Sequence, residues 1–174
     1  IHLEGDGFLS LNDVGARGNS RFSNLPNVEF EEIQQHNLTR CTQLLNKTNQ
    51  FNLKADRYTE KELERKIKAS DFCFAANVTD AFAEYGITVV LIAQISKGYQ
   101  VVITDFVMSC RVFGRGVEKA CIDHLFYLAE EKANTSPYLV FRGVDTSKNK
   151  PIQQFLANIA ISEGYIDKIH YSFG

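Results

Sequence analysis

The stretch Arg111-Val112-Phe113-Gly114-Arg115-Gly116 decides how this chain is read. Behind it, residues 99–109 form a largely apolar run, patterned as a buried strand. Ahead of it, Val117, Cys121, Ile122, Leu125, Leu128 and Ala129 fall on one arc of a helix. Glu118, Lys119, Asp123, Glu130 and Glu131 fall on the other. The stretch is therefore a strand-to-helix bend. Gly114 and Gly116 lack the Cβ atoms that would hold a phosphate away from the backbone, and the helix tip adds unpaired N–H groups with a partial positive charge. Arg111 and Arg115 would add charge-assisted bonds. A phosphate-containing ligand is expected here.

Outward from the bend, residues 71–78, 87–95 and 138–143 read as further strands. Ser96-Lys97-Gly98 forms a short hairpin loop, with glycine free to take a positive φ. Val89-Val90-Leu91-Ile92 and Val101-Val102-Ile103 are apolar without alternation, which implies a sheet covered on both faces. Residues 28–31 alternate apolar and acidic side chains, as a half-buried strand does. Helices are expected over 38–45, over 59–67 behind a Thr59/Glu62 capping box, and over 149–161 with Pro151 in the first turn. Gly164 ends the last of these, and residues 166–173 close the sheet. The order β-α-α-β-β-β-α-β-α-β predicts an α+β fold with a mixed sheet flanked by helices.

A length of 174 residues suits one domain, taken as 27–174, with an irregular Gly/Asn/Ser-rich arm or linker expected over 1–26, whose candidate docking residues are Phe8, Leu9, Leu11 and Phe22. A net charge of −2 argues against nucleic acid bound through bulk electrostatics, and no apolar run is long enough to span a membrane. Cys41, Cys73, Cys110 and Cys121 form no C-x-x-C pair, so no metal site is expected, and reduced thiols in a cytoplasmic protein fit best. The chain lacks G-x-x-x-x-G-K-[ST], which counts against a nucleotide-binding domain.

The element order, with R-x-x-G-x-G between the fourth strand and the third helix, resembles the GNAT acyltransferase fold. Gln43-Leu-Leu-Asn-Lys-Thr-Asn-Gln-Phe-Asn-Leu53, Glu84-Tyr-Gly86, the run from Asp105 to Glu118 and Thr146-Ser-Lys-Asn149 are similar to the C-terminal GNAT-like domain of FkbH-like proteins. The likeness runs from about Val28 to Gly164. It implies a setting in polyketide or nonribosomal peptide biosynthesis, with an acyl carrier protein as partner. It also implies a HAD-like domain in a longer parent chain, one that loads a glyceryl unit. The cofactor implied is coenzyme A, as acyl-CoA, or a carrier's phosphopantetheine. Its diphosphate would rest on Arg111, Val112, Phe113, Gly114, Arg115 and Gly116, with Asn149 nearby. Its arm would pair with the strand edge at Phe106, Val107, Met108 and Cys110.

Two functions follow. In the first, the domain transfers an acyl group. The acceptor enters past Lys47, Thr48, Asn49, Gln50, Phe51 and Asn52, and Asp105 as general base, or a water, assists its deprotonation. Tyr85 stands in as acid, and Cys110, beside Arg111 and a helix tip, is a candidate nucleophile. Strand alternation places Asp105 with Val101, Ile103 and Val107, where a buried carboxylate needs a partner; Arg111 or an amide of the 46–52 run is expected to supply it. Taken alone, an amide-rich run of this kind more often satisfies its own backbone than a ligand. In the second, the same cleft holds a carrier's phosphopantetheine without chemistry. The second is favoured by the position where many GNAT enzymes carry a tyrosine acid, which here is Leu156 beside Phe155, since neither can donate a proton; the intact glycine bend and Asp105 favour the first, and acyl transfer is the expected activity.

Overall fold

The structure, a computed structural model, describes residues 25–174; the arm and its docking residues lie outside the described residues. The elements run β1 (Asn27–Glu32), α1 (Leu38–Lys47), α2 (Glu60–Lys68), β2 (Phe72–Thr79), β3 (Glu84–Ile95), β4 (Gln100–Met108), α3 (Val117–Ala133), β5 (Tyr138–Gly143), α4 (Lys150–Ala160) and β6 (Ile169–Phe173). The six strands lie in sequence order in one sheet. The first four are antiparallel, and β4–β5 and β5–β6 are parallel. This is the mixed α+β architecture that the pattern predicts.

Two cores explain the unbroken apolar strands. On one face, Leu38, Cys41, Leu44 and Leu45 of α1 and Leu63 of α2 pack on Ala75, Val90, Ile92 and Val107. On the other, Val117, Cys121, Ile122 and Leu125 of α3 and Ile152 and Leu156 of α4 pack on Phe74, Leu91, Ile103, Phe106 and Phe141. Each central strand thus buries both sets of alternating side chains. The capping box forms: Thr59 N–H donates to the Glu62 carboxylate at 2.7 Å, and Glu62 N–H donates to Thr59 Oγ1 at 3.3 Å.

One irregularity redirects the strand that matters most. Ile92 faces Asp105 and Ala93 faces Ile103, so Thr104 is an extra residue on β4. Such a bulge inverts the facing of everything beyond it. Val101 and Ile103 therefore join the α3/α4 core, and Val107 joins the α1/α2 core. Asp105 does not share a face with Val101 and Ile103, as simple alternation predicts; it turns toward α2.

On the α3 face, the His124 ring lies flat on Phe30 at 4.0 Å between centroids and edge-on to Phe74 at 4.9 Å. Its Nδ1 is buried with no hydrogen-bond partner among the described residues. Burial pushes its pKa down from 6.5 to about 4. The unfolded chain takes up this proton first as pH falls, so the stabilising contribution is complete above 6.5 and is lost toward about 4. His124→Phe should remove that loss. Between about pH 7 and about pH 5, wild-type stability from urea titration should fall by about 2 kcal/mol more than that of the variant. Equal losses would contradict this assignment.

Candidate functional site

Pairing between β4 and β5 covers only Gln100 to Ile103 on one side and Tyr138 to Phe141 on the other. Beyond Ile103 the two strands part, and the polypeptide between α1 and α2 enters the space. Leu53 N–H donates to Phe106 O at 3.0 Å, and Met108 N–H donates to Phe51 O at 3.0 Å. Between these bonds, Asn52 lies opposite Val107 as an antiparallel bridge. Val144, just past β5, donates its N–H to Leu53 O at 2.9 Å. Residues 51–53 thus stitch β4 to the end of β5. Gly143 permits the approach, because a Cβ there would stand 2.9 Å from Leu53 O and 2.3 Å from the Phe173 ring.

The stitch is part of the core. Phe51 is 1% exposed and Leu53 fully buried. The Phe51 ring meets Phe106 edge-on at 5.1 Å and lies 5.7 Å from Phe155 and 6.2 Å from Phe113. Burying two such side chains stabilises the fold by about 1.5–3 kcal/mol each, and each backbone hydrogen bond adds about 1 kcal/mol.

The amide-rich run serves this segment. Asn52 Nδ2 donates to Thr48 O at 2.9 Å, and Asn52 Oδ1 accepts from the N–H groups of Lys54 and Ala55 at 3.2 and 2.8 Å. Asn49 Oδ1 accepts from Arg57 at 2.7 Å. Lys47 and Gln50 are exposed. Asn149 is fully buried and saturated. Its Nδ2 donates to Asn52 O at 3.0 Å and Val144 O at 2.8 Å, while its Oδ1 accepts from Thr146 N–H at 3.0 Å and Gln153 at 2.9 Å.

Asp105, 3% exposed, has three partners on the opposite face of the sheet. Lys66 Nζ stands 2.5 Å from Oδ2, Tyr58 OH donates to Oδ1 at 2.7 Å, and Thr104 Oγ1 donates to Oδ2 at 3.0 Å. Lys66 also donates to Tyr58 OH at 2.8 Å. Burial, and after it the Asp105 charge, pushes the Tyr58 hydroxyl well above its ordinary pKa. The expected partners, Arg111 or an amide of the 46–52 run, are not the ones found. Lys66 was legible only as the residue between Leu63 and Ile67, at the wet edge of the buried face of α2. Without the bulge, nothing in the sequence pointed it at Asp105.

The bend has the expected shape. Gly114 and Gly116 take φ of 80° and 86°, and a Cβ at either would meet nothing within 4 Å. Its donors are partly engaged from within. Val112 N–H donates to Ser109 O at 3.1 Å, and Gly114 N–H donates to the carboxylate of Glu118, itself 5% exposed. The amides of Arg115 and Gly116 have no hydrogen-bond partner among the described residues. Arg115 is pulled aside: it pairs with Asp80 at 2.5 Å and donates to Tyr85 OH at 3.3 Å, while Tyr85 OH donates to Asp80 at 3.0 Å. Arg115 holds the Asp80 carboxyl well below the usual carboxylate range, helped by the N–H of Phe82. Arg111 is exposed, 5.9 Å over the Tyr85 ring, with no ion pair among the described residues. Cys110 is exposed, and all four cysteines are free.

The sequence-selected residues therefore fall into three groups. Tyr85, Arg111 and Arg115 gather at the bend. Phe51, Asn52, Phe106, Val107, Met108 and Asn149 gather at the stitch, with Phe113 against it. Asp105 lies on the opposite face of the sheet. Coenzyme A, the cofactor the resemblance implies, needs a free β4 edge for its arm and free bend amides for its diphosphate. Phe106 O and Met108 N–H are taken by residues 51–53, the Phe51 ring fills the space beside α4, and a carboxylate sits on Gly114. The arm does not fit this arrangement. What remains at the bend, the Arg115 and Gly116 amides beside Arg111, suits a single anion.

No protein-family model and no curated protein sequence matches this chain. Solved structures do. The ribosomal-protein-S18-alanine N-acetyltransferase from Escherichia coli superposes with a TM-score of 0.53 at 11% identity, over 76% of each chain. AAC(6')-Iy in complex with a bisubstrate analogue, CoA-S-monomethyl-acetylneamine, gives 0.53 at 14% identity, over 85% of this chain and 99% of that one. An aminoglycoside acetyltransferase from an uncultured soil metagenomic sample gives 0.50 at 17% identity, over 85% and 98%. At these identities the likeness is one of fold: the chain has the fold of the GNAT acetyltransferases.

Proposed function

We propose that this domain is a recognition module on an acyltransferase fold, docking an acyl carrier protein beside a HAD-like glyceryl transferase domain in FkbH-like biosynthesis, without transferring the acyl group itself. The observation that carries this reading is the engagement of Asp105. The carboxylate expected to act as base is held by Lys66, Tyr58 and Thr104, away from the β4–β5 gap. The α4 side supplies only Leu156 and Phe155, so a leaving thiolate would find no proton there. The bend gives the partner its anchor. A carrier's prosthetic arm begins in a phosphodiester, and Arg111 with the amides of Arg115 and Gly116 would receive that anion without admitting the arm.

Calorimetry against apo- and holo-carrier protein, with acetyl-CoA turnover measured toward amines, alcohols and carrier thiols, tests the reading. Holo-carrier should bind and no acceptor should be acylated. Arg111→Ala should weaken holo-carrier binding about tenfold, the loss of one charge-assisted contact. A second reading, acyl transfer, is favoured by the open left-handed bend, which the fold uses for a diphosphate. Turnover abolished by Asp105→Asn with binding retained would establish it and overturn the first.

A further inference from the structure

We infer that the gap between β4 and β5 is permanently closed by Phe51, Asn52 and Leu53, an internal strand standing where the GNAT resemblance places a thiol cofactor's arm. The inference shares with the proposed function only the identity of the excluded ligand.

Three observations converge on it. On the β4 edge that faces the gap, Phe106 O and Met108 N–H are bonded to this segment, whose far side is bonded to Val144. The bend repeats the pattern with its own anion, since the Glu118 carboxylate occupies the Gly114 amide. The third observation is that three stretches distant in sequence meet here. Asn52 comes from Lys47-Thr-Asn-Gln-Phe-Asn52, Asn149 from Thr146-Ser-Lys-Asn149, and Met108 from the run that begins at Asp105. Asn149 Nδ2 reaches Asn52 O at 3.0 Å, and Met108 N–H reaches Phe51 O at 3.0 Å. Stretches far apart in sequence build the closure together.

The segment is no hinged lid. Withdrawing it would expose Phe51 and Leu53, break their pairing on both sides and strip Asn149 of a buried acceptor. A state that rare lowers the apparent affinity of any ligand needing it by roughly 10⁴-fold or more, which turns a micromolar site into one beyond useful concentrations.

Amide hydrogen exchange on the wild-type chain, followed by NMR with and without millimolar coenzyme A, tests this directly. The amides of Leu53, Met108 and Val144 should exchange as slowly as that of Leu91 in β3, only through global unfolding, and the cofactor should not alter them. Exchange about tenfold faster than at Leu91, or about tenfold acceleration on adding coenzyme A, would show a gap that opens and would overturn the inference. Carrier binding is read in a separate experiment, so either result can fail alone.

Discussion

Lys66→Met is expected to destabilise the domain by about 3–5 kcal/mol, enough to leave much of it unfolded at ambient temperature. The substitution keeps the length and apolar stem of the side chain but leaves Asp105 as a carboxylate 3% exposed between β4 and α2. Tyr58 OH and Thr104 Oγ1 would still donate to it, so the penalty comes mainly from the unpaired charge, with the lost Lys66–Tyr58 hydrogen bond added to it. A buried ion pair is a weak source of net stability, whereas removing one partner strands the other. Lys66→Met with Asp105→Leu should therefore recover most of the loss. Urea midpoints of wild type, the single variant and the pair decide it. A single-variant loss below about 1 kcal/mol would mean that the pair is solvated and that Asp105 is available for chemistry.

Phe51→Ala is expected to cost about 3–5 kcal/mol, the range for deleting a buried aromatic ring. Phe51 belongs to a segment lying between two helices, where loops usually tolerate truncation. Here its ring is packed among Phe106, Phe113 and Phe155, which are too firmly placed by β4, the bend and α4 to collapse into the void. Gln50→Ala, one residue away and exposed, should be neutral within about 0.5 kcal/mol. If thermal denaturation finds the two substitutions alike, residues 51–53 are an ordinary loop resting on the sheet and the closure has no energetic basis.

The elements were legible because their signals are local. Val90 and Ile92 face one core while Leu91 faces the other, so uninterrupted hydrophobicity in β3 was a sound sign of a sheet covered on both sides. Thr59 and Glu62 announced α2, and Gly98, at φ 71°, announced the β3–β4 turn. The bend was also legible as a glycine-bearing turn between strand and helix, while the left-handed conformation of Gly114 and Gly116 is known only from the structure.

What the sequence hid depends on register and on distance. One extra residue at Thr104 sends Asp105 to the face opposite Ile103, and no property of threonine marks it as a bulge. Tyr58 and Lys66 became partners of Asp105 only through that inversion. The amide-rich run read more readily as a self-satisfying turn than as a substrate entrance. Its Asn52 bonds to Thr48, Lys54 and Ala55 while its carbonyl meets Asn149 across the gap. Asp80, the partner of Arg115 in the β2–β3 turn, lies far off in sequence, and no local signal joined the two.

Titration of the wild-type domain with coenzyme A and acetyl-CoA by calorimetry bears most directly on the account. A closed β4–β5 gap predicts no saturable heat for either ligand up to about millimolar concentration. Saturable binding with a Kd below about 10 μM, strengthened by Phe51→Ala, would contradict it, because the ring that fills the slot would then be a competitor that the cofactor displaces.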